Sequence, residues 1–363
     1  MSEDPLRAAI AGLLADERNR ERPSPDSAWR RLDEAGFIGI GLPESAGGSG
    51  EDLTAAAVLV RQCARFEEFS ALPVGSTVLI GHWLRAAAGL PADLAPTAVA
   101  VASDLIVTPV ADGYRVSGIV PRVAGARFAA SLLLVAADPA EPTRVISIRD
   151  RRDRPGVSIE PNDSRAPVAL DDIVLDEVAV DSGSIGALPA AARAALDLRA
   201  ALLATVYIAG LLDEVLDLTL RYAGEREQFG RPISAFQMVK EMIALLAAEV
   251  MAAGAAADGA AAAAASTDQH GAEHTGAELA VRAAALRTGR AAGVASRLAH
   301  QVHGTMGVTS EYPLHRYTTQ LWYWRDAGRP RFESEVQLGR LLAARGPDGL
   351  WPAVTGPRTI PAD

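Results

Sequence analysis

Hydrophobic positions change period twice along the chain. Up to about Ala95 they recur at helical spacing. Ala28-Trp-Arg-Arg-Leu-Asp-Glu-Ala-Gly36 predicts a short amphipathic helix closed by a glycine, PESAGGSGEDLT a glycine-rich loop, and Asp52–Phe69 a further helix. Between about 96 and 184 the period shortens. TAVAVA, LIVTPVADGYRVSGIV, SLLLVAA, TRVISIR and DDIVLDEVAV are β-branched runs broken by Asp-Gly, Pro and Ser-Gly, which predicts a small antiparallel sheet or barrel. From about Leu188 the helical period returns, with Ile208, Leu211, Leu212, Val215 and Leu218 on one face. The Ala-rich stretch Ala247–Ala265 holds no proline and follows periodic leucines, so it predicts a closely packed helix that frays near Gly271 and Gly276. The expected organisation is α+β, mainly α: a helical domain over 1–95, a β domain over 96–184 and a helical bundle over 185–363.

Composition supports the helices. Hydrophobic residues make up 49% of the chain but aromatics only 5%, and alanine, the best helix former, fills much of the gap. Lys+Arg number 35 against 45 Asp+Glu, a net charge of −10, which leaves no electrostatic footprint for nucleic acid and repels an anionic membrane surface. The single cysteine, Cys63, excludes a disulfide framework and a multi-cysteine metal site, and suits a reducing cytoplasm. The amino terminus, MSEDPLRAAIAGLLADERNRERP, lacks the order of a signal peptide. Unbroken apolar runs such as Ala260–Ala265 fall short of the ~18 residues of a spanning helix, so a soluble, cytoplasmic chain without membrane insertion is expected.

Two segments offer chemistry. Arg221-Tyr-Ala-Gly-Glu-Arg-Glu-Gln-Phe-Gly-Arg-Pro-Ile-Ser-Ala-Phe-Gln237 predicts a helix–turn–helix corner, with Ser234 as N-cap of the second helix. There Arg226 and Gln237 either converge on a phosphate or pyrophosphate, or Arg226 is a solvated arginine near a turn. In His300-Gln-Val-His-Gly-Thr-Met-Gly-Val-Thr-Ser-Glu-Tyr-Pro-Leu-His-Arg316, Gly304 and Gly307 free the backbone to approach an anion. His300, His303 and His315 lack the third ligand of a zinc motif, so no metal site is expected and a polar helix end is the simpler reading.

RxQFGxPIxxFQ followed by QxxGxxGxxxExPLxR resembles the acyl-CoA dehydrogenase family of flavoproteins, as does the amino-terminal WRRLDEAGFIGIGLPESAGGSG. The resemblance implies an N-terminal α-helical domain, a middle β-barrel-like domain and a C-terminal four-helix bundle. It implies oxidation of the α,β carbons of an acyl-CoA thioester, with a glutamate taking the α proton and FAD the β hydride, and an electron-transfer protein as acceptor. It also implies a dimer or tetramer in which Arg226, Phe229, Phe236, Gln237, Gln301, Gly304 and Thr305 hold the FAD of a neighbouring subunit.

The chain departs from this pattern at its own site. Where relatives place their base after the second motif, counting gives Gly328 or Arg331, with Asp326 the first candidate among nearby acids and Glu333 the other. In members with the base on the helix before the first motif, counting gives Ala200, and Asp197 is the only local acid. In Gly118-Ile-Val-Pro-Arg-Val-Ala-Gly-Ala-Arg127, Arg122 and Ala124 take the places of an aromatic and a hydroxyl beside the flavin. Candidates for a basic cluster facing an anionic CoA are Arg122, Arg127, Arg325, Arg329 and Arg331. Two expectations follow: a divergent dehydrogenase whose base has moved, or a non-catalytic subunit of a hetero-oligomer that completes an active partner's FAD site.

Overall fold

A computed structural model describes residues 5–18, 24–66, 73–136, 143–162, 167–270, 275–327 and 331–355. The amino-terminal domain is built from α1 (Pro5–Arg18), α2 (Pro25–Glu34), α3 (Leu53–Cys63) and α4 (His82–Ala87). Ser24 caps α2 through a capping box with Ser27, and Asp52 caps α3 by accepting from the Thr54 and Ala55 amides. Gly36 follows α2 in a left-handed conformation, φ 78°. The predicted helix over Asp52–Phe69 is shorter than expected, ending at Cys63, and its last residues lie outside the described ones. A π-helical turn, Ser76–Gly81, precedes α4.

The middle strands are β1 (Thr97–Ala102), β2 (Ile106–Val110), β3 (Gly113–Ala124), β4 (Ser131–Ala136), β5 (Arg144–Ile148), β6 (Val157–Pro161), β7 (Leu170–Val180) and β8 (Ile185–Ala187). They form two four-stranded sheets, β1-β4-β5-β8 and β2-β3-β7-β6. One pair departs from the antiparallel expectation: β1 and β4 run parallel, Thr97 opposite Ser131. Strand β4 explains its own unbroken SLLLVA. Leu132 and Leu134 enter the core between the sheets, while Leu133 and Val135 enter the helical core on the other face. Strand β3 carries register shifts against β7 at Val116/Gly118 and at Val120/Val123, and the second leaves Arg122 at φ 59°.

The bundle comprises α5 (Ala190–Glu225), α6 (Gln237–His270), α7 (Thr275–His303) and α8 (Leu314–Asp326), followed by α9 (Arg331–Ala343) and α10 (Gly346–Thr355). Alanines let these helices approach closely: Ala253, Ala257, Ala260 and Ala261 of α6 and Ala291, Ala292 and Ala295 of α7 are buried. Gly276, expected where α6 frays, lies instead in the first turn of α7, and Gly271 lies outside the described residues. By length and composition, α5 and the stretch Gln237–Thr267 of α6 are apolar enough to cross a membrane, which the unbroken runs alone did not indicate. In α5 that apolar stretch is 67% buried inside the fold, as expected of a core helix.

Candidate active site

A cavity of about 480 Å³ lies where the three parts meet. Its walls come from Gly75 and Ser76 at the start of the π-turn, from Val99, Ala124 and Gly125 of the β domain, and from α5, α7 and α8. Side chains facing it from α5 are small at Ala200, Ala201 and Ala204, so the space is wide rather than filled. Aromatic rings line it as well. Trp324 stacks on buried Tyr207 with ring centroids 4.7 Å apart, and Tyr323 meets Trp324 edge-on at 5.5 Å. Burial pushes the Tyr207 hydroxyl well above the ordinary phenol range and raises that of Tyr323 against the opposing charge of Arg122, so both are neutral hydrogen-bonding groups.

Among the described lining residues the one carboxylate is Asp197, three residues before Ala200 and therefore on the same face of α5. Arg193 sits 3.9 Å from it. Both lining arginines are engaged elsewhere, Arg282 with Glu278 and Arg325 with Asp326, each at 2.7 Å. Asp326, the first candidate base, is not among the lining residues. Arg325 donates to both its oxygens at 2.7 and 2.8 Å, and these bonds hold its carboxyl below the usual range. Gly328 and Arg329 lie outside the described residues, and of Arg331 only the backbone is described. Glu333 is exposed in the first turn of α9.

The other half of the expected site is on the outside of the bundle. A two-residue ladder, β9 (Glu227–Gln228) with β10 (Arg231–Pro232), turns at Phe229 and Gly230, both with positive φ. Phe229 is 92% exposed, and Phe236 meets it edge-on at 6.1 Å, with the Arg231 guanidinium 4.4 Å over the Phe236 ring. Arg226 ends α5 exposed, and Gln237 begins α6 with its amide on Glu241. The predicted N-cap Ser234 instead lies inside a short 3₁₀ turn. At the end of α7, Gln301, Gly304 and Thr305 are exposed, while Gly307 is packed so tightly that a Cβ there would stand 2.9 Å from His300 Nδ1.

His303 is packed into the fold rather than presented at a polar helix end. His303 is buried and stacks on Tyr222 at 4.3 Å, with its Nδ1 on the Ala299 carbonyl. His300 Nε2 meets Thr318 Oγ1 at 2.9 Å. Among the described residues no cluster of metal-ligating side chains occurs. This aromatic packing supports the Gly304–Val308 turn, a role that residue spacing alone did not reveal.

These features fit FAD in two unequal halves. The exposed Arg226, Phe229, Gln237, Gln301 and Thr305 present a guanidinium, a ring, amides and a hydroxyl on the outside of the bundle. The cavity wall at Ala124 offers no side-chain donor. Residues 6–89 match the acyl-CoA dehydrogenase N-terminal domain and residues 190–324 the C-terminal domain. Acyl-CoA dehydrogenase IpdE2 of Mycobacterium tuberculosis is 27% identical over 85% of this chain and 83% of its own length. Acyl-CoA dehydrogenase FadE27 of the same organism is 29% identical over 80% of each. The ChsE4–ChsE5 complex from M. tuberculosis has the same fold, with a TM-score of 0.75 at 21% identity over 94% of this chain and 98% of its counterpart. The fold is that of FAD-dependent oxidoreductases acting on acyl-CoA thioesters. The chain belongs to the acyl-CoA dehydrogenase family.

Proposed function

We propose that this chain carries out α,β-dehydrogenation of an acyl-CoA thioester with Asp197 as the group that takes the α proton. The observation that carries this reading is Asp197 itself, the lone carboxylate among the described residues lining the cavity, one helical turn from Ala200. Shifting a base by one turn along the same face of α5 keeps it on the same wall. Aspartate is one methylene shorter than the family's glutamate, and the alanines beside it leave room for the acyl group to come to it. The stacked Tyr207 and Trp324 rings add apolar lining to the cavity. Bound FAD supplies the acceptor for the hydride that leaves the β carbon, and Arg226, Phe229, Phe236, Gln237, Gln301, Gly304 and Thr305 are the residues that would hold it across a subunit boundary. An electron-transfer protein and a reducing cytoplasm suit this chemistry and the single buried thiol.

The test is flavin absorbance after adding an acyl-CoA. Asp197→Asn is expected to keep FAD bound and lose bleaching by at least about a hundredfold, the usual scale of a lost proton-transfer group. Asp326→Asn should bleach at the parent rate, and Ala200→Glu should restore bleaching to Asp197→Asn. Bleaching of Asp197→Asn at the parent rate would sink the assignment.

One observation favours a second reading. The outward FAD-holding residues are retained while the cavity wall has alanine at positions 124 and 200. A chain of this kind suits the partner subunit of a hetero-oligomer, and the ChsE4–ChsE5 complex joins two differently named chains. Purified alone, such a subunit would be colourless and would take up FAD only with its partner. A yellow homo-oligomer excludes that reading.

A further inference from the structure

The β domain lines the cavity with Val99, Ala124, Gly125, Val168 and Ala169. None of these side chains carries a functional group, so this wall acts through where its backbone stands. The end of β3 is irregular. Its register against β7 shifts between Val120 and Val123, and after Ala124 the chain turns at Gly125, φ 69°, into the 3₁₀ turn Ala126–Phe128. The two lining segments meet where the Gly125 N–H donates to the Ala169 carbonyl at 3.0 Å. Two residues beyond Ala169 is Asp171, a carboxylate 0% exposed. Its Oδ2 accepts the Arg127 N–H at 2.7 Å and its Oδ1 the Arg127 Nε at 2.8 Å. The buried Arg151 donates in turn to the Arg127 carbonyl at 2.7 Å and to the Ala129 carbonyl. The main-chain N–H and carbonyl of Arg127 are thus each held by a side chain. A carboxylate out of water is costly, and an apolar pair of similar volume is often as stable as a buried ion pair. What the ion pair adds is direction, because hydrogen bonds fix angles that apolar contacts do not.

We propose that Asp171 is a positioning residue: by holding the Ala126–Phe128 turn through Arg127, it fixes the Ala124–Gly125 wall of the cavity in which the acyl thioester reacts. The proposal rests on the dehydrogenase reading above. Asp171 touches neither substrate nor cofactor, and its effect on rate comes from the place it gives the wall. A misplacement of about 1 Å at such a wall slows chemistry by as much as about a hundredfold.

The full-length chain loaded with FAD is mixed with butyryl-CoA or octanoyl-CoA. The bleaching rate at saturation, the concentration giving half that rate and the urea midpoint are read separately. Asp171→Leu combined with Arg127→Leu replaces the ion pair by an apolar pair and is expected to keep the parent midpoint. Its rate at saturation should fall about tenfold or more while the half-saturating concentration stays within about twofold, the pattern of displaced geometry rather than lost binding. Asp171→Asn, which keeps an acceptor for the Arg127 N–H, should recover part of the rate. A purely structural role predicts that rate follows stability. A double variant with both the parent midpoint and the parent rate therefore overturns the proposal, as does a loss confined to the half-saturating concentration. Should the double variant unfold, Asp171→Asn decides, and the parent rate in that variant overturns the proposal. A parent chain bleached by neither thioester counts against the dehydrogenase reading instead. Positioning is then read by hydrogen exchange: the Gly125 and Arg127 amides of Asp171→Asn should exchange about tenfold faster than in the parent, with those of β4 unchanged. Equal exchange overturns it.

Discussion

Cys63 is 1% exposed at the end of α3, within electrostatic reach of the Tyr207 hydroxyl, and burial alone pushes its thiol far above the ordinary range. A thiol without thiolate is unreactive. An aromatic disulfide reagent at mildly alkaline pH should therefore leave the folded chain unlabelled and release one equivalent only after denaturant is added. Labelling of the folded chain at the rate of a free thiol would contradict this burial. Side-chain identity was legible at this scale, but environment was not. Asp326 was the first candidate base on position alone, yet its carboxylate is held by the adjacent Arg325. Asp197 was visible as the one acid near Ala200. That it faces the cavity depends on the rotational phase of α5, which packing sets.

The order of helices, then strands, then helices followed from hydrophobic period, whereas the way elements cross did not. The crossing of α3 over α5 turns on Gly210. A Cβ there would stand 2.2 Å from the Arg61 carbonyl oxygen and 2.8 Å from Ala64 Cβ. Gly254 on α6 faces the same residue from the other side, its Cβ site 2.5 Å from Arg61 Nη2. That guanidinium is fixed by Asp213 at 2.8 and 3.1 Å and by Asp258 at 2.9 Å. Gly210→Ala gains about 1 kcal/mol of helix propensity. Against this stands an overpacking cost of about 1–3 kcal/mol, placed at the upper end because a backbone carbonyl cannot swing aside. Net destabilisation is expected as a lower urea midpoint. Gly254→Ala, which meets only the tip of a long side chain, should shift the midpoint less, and the reverse order would contradict this packing. Alanine content announced close helix packing. It did not reveal which glycine admits the neighbouring backbone, nor that β1 and β4 pair in parallel, because both depend on partners remote in the chain.

Across the whole molecule, three histidines, His82 on α4 and the neighbours His300 and His303 on α7, respond to pH in the same direction. His82, 2% exposed with Nε2 on the Ile38 carbonyl, faces Arg85 and Asp93. His303 lies in the aromatic stack with Tyr222 and Tyr312, and His300 beside Thr318 faces His315. Burial is the largest cause in each case and lowers all three pKa values. An imidazole lowered in the fold stays neutral there while the unfolded chain takes up a proton at about pH 6.5. The stability it confers is therefore complete above about pH 6.5 and is lost as pH falls through the interval below it, by up to about 1.4 kcal/mol per pH unit for each histidine. Because the apolar residues Phe229, Met238, Leu245 and Met251 are exposed, unfolding must be followed at one fixed protein concentration. Urea midpoints should be level from pH 8 to 7 and fall steadily from pH 6.5 to 5. His303→Phe, which keeps a ring in the stack but cannot titrate, should flatten part of that slope. A parent chain equally stable at pH 7 and pH 5 would show that these imidazoles are not neutral in the fold, and the supported turn at Gly304–Val308 would need another account.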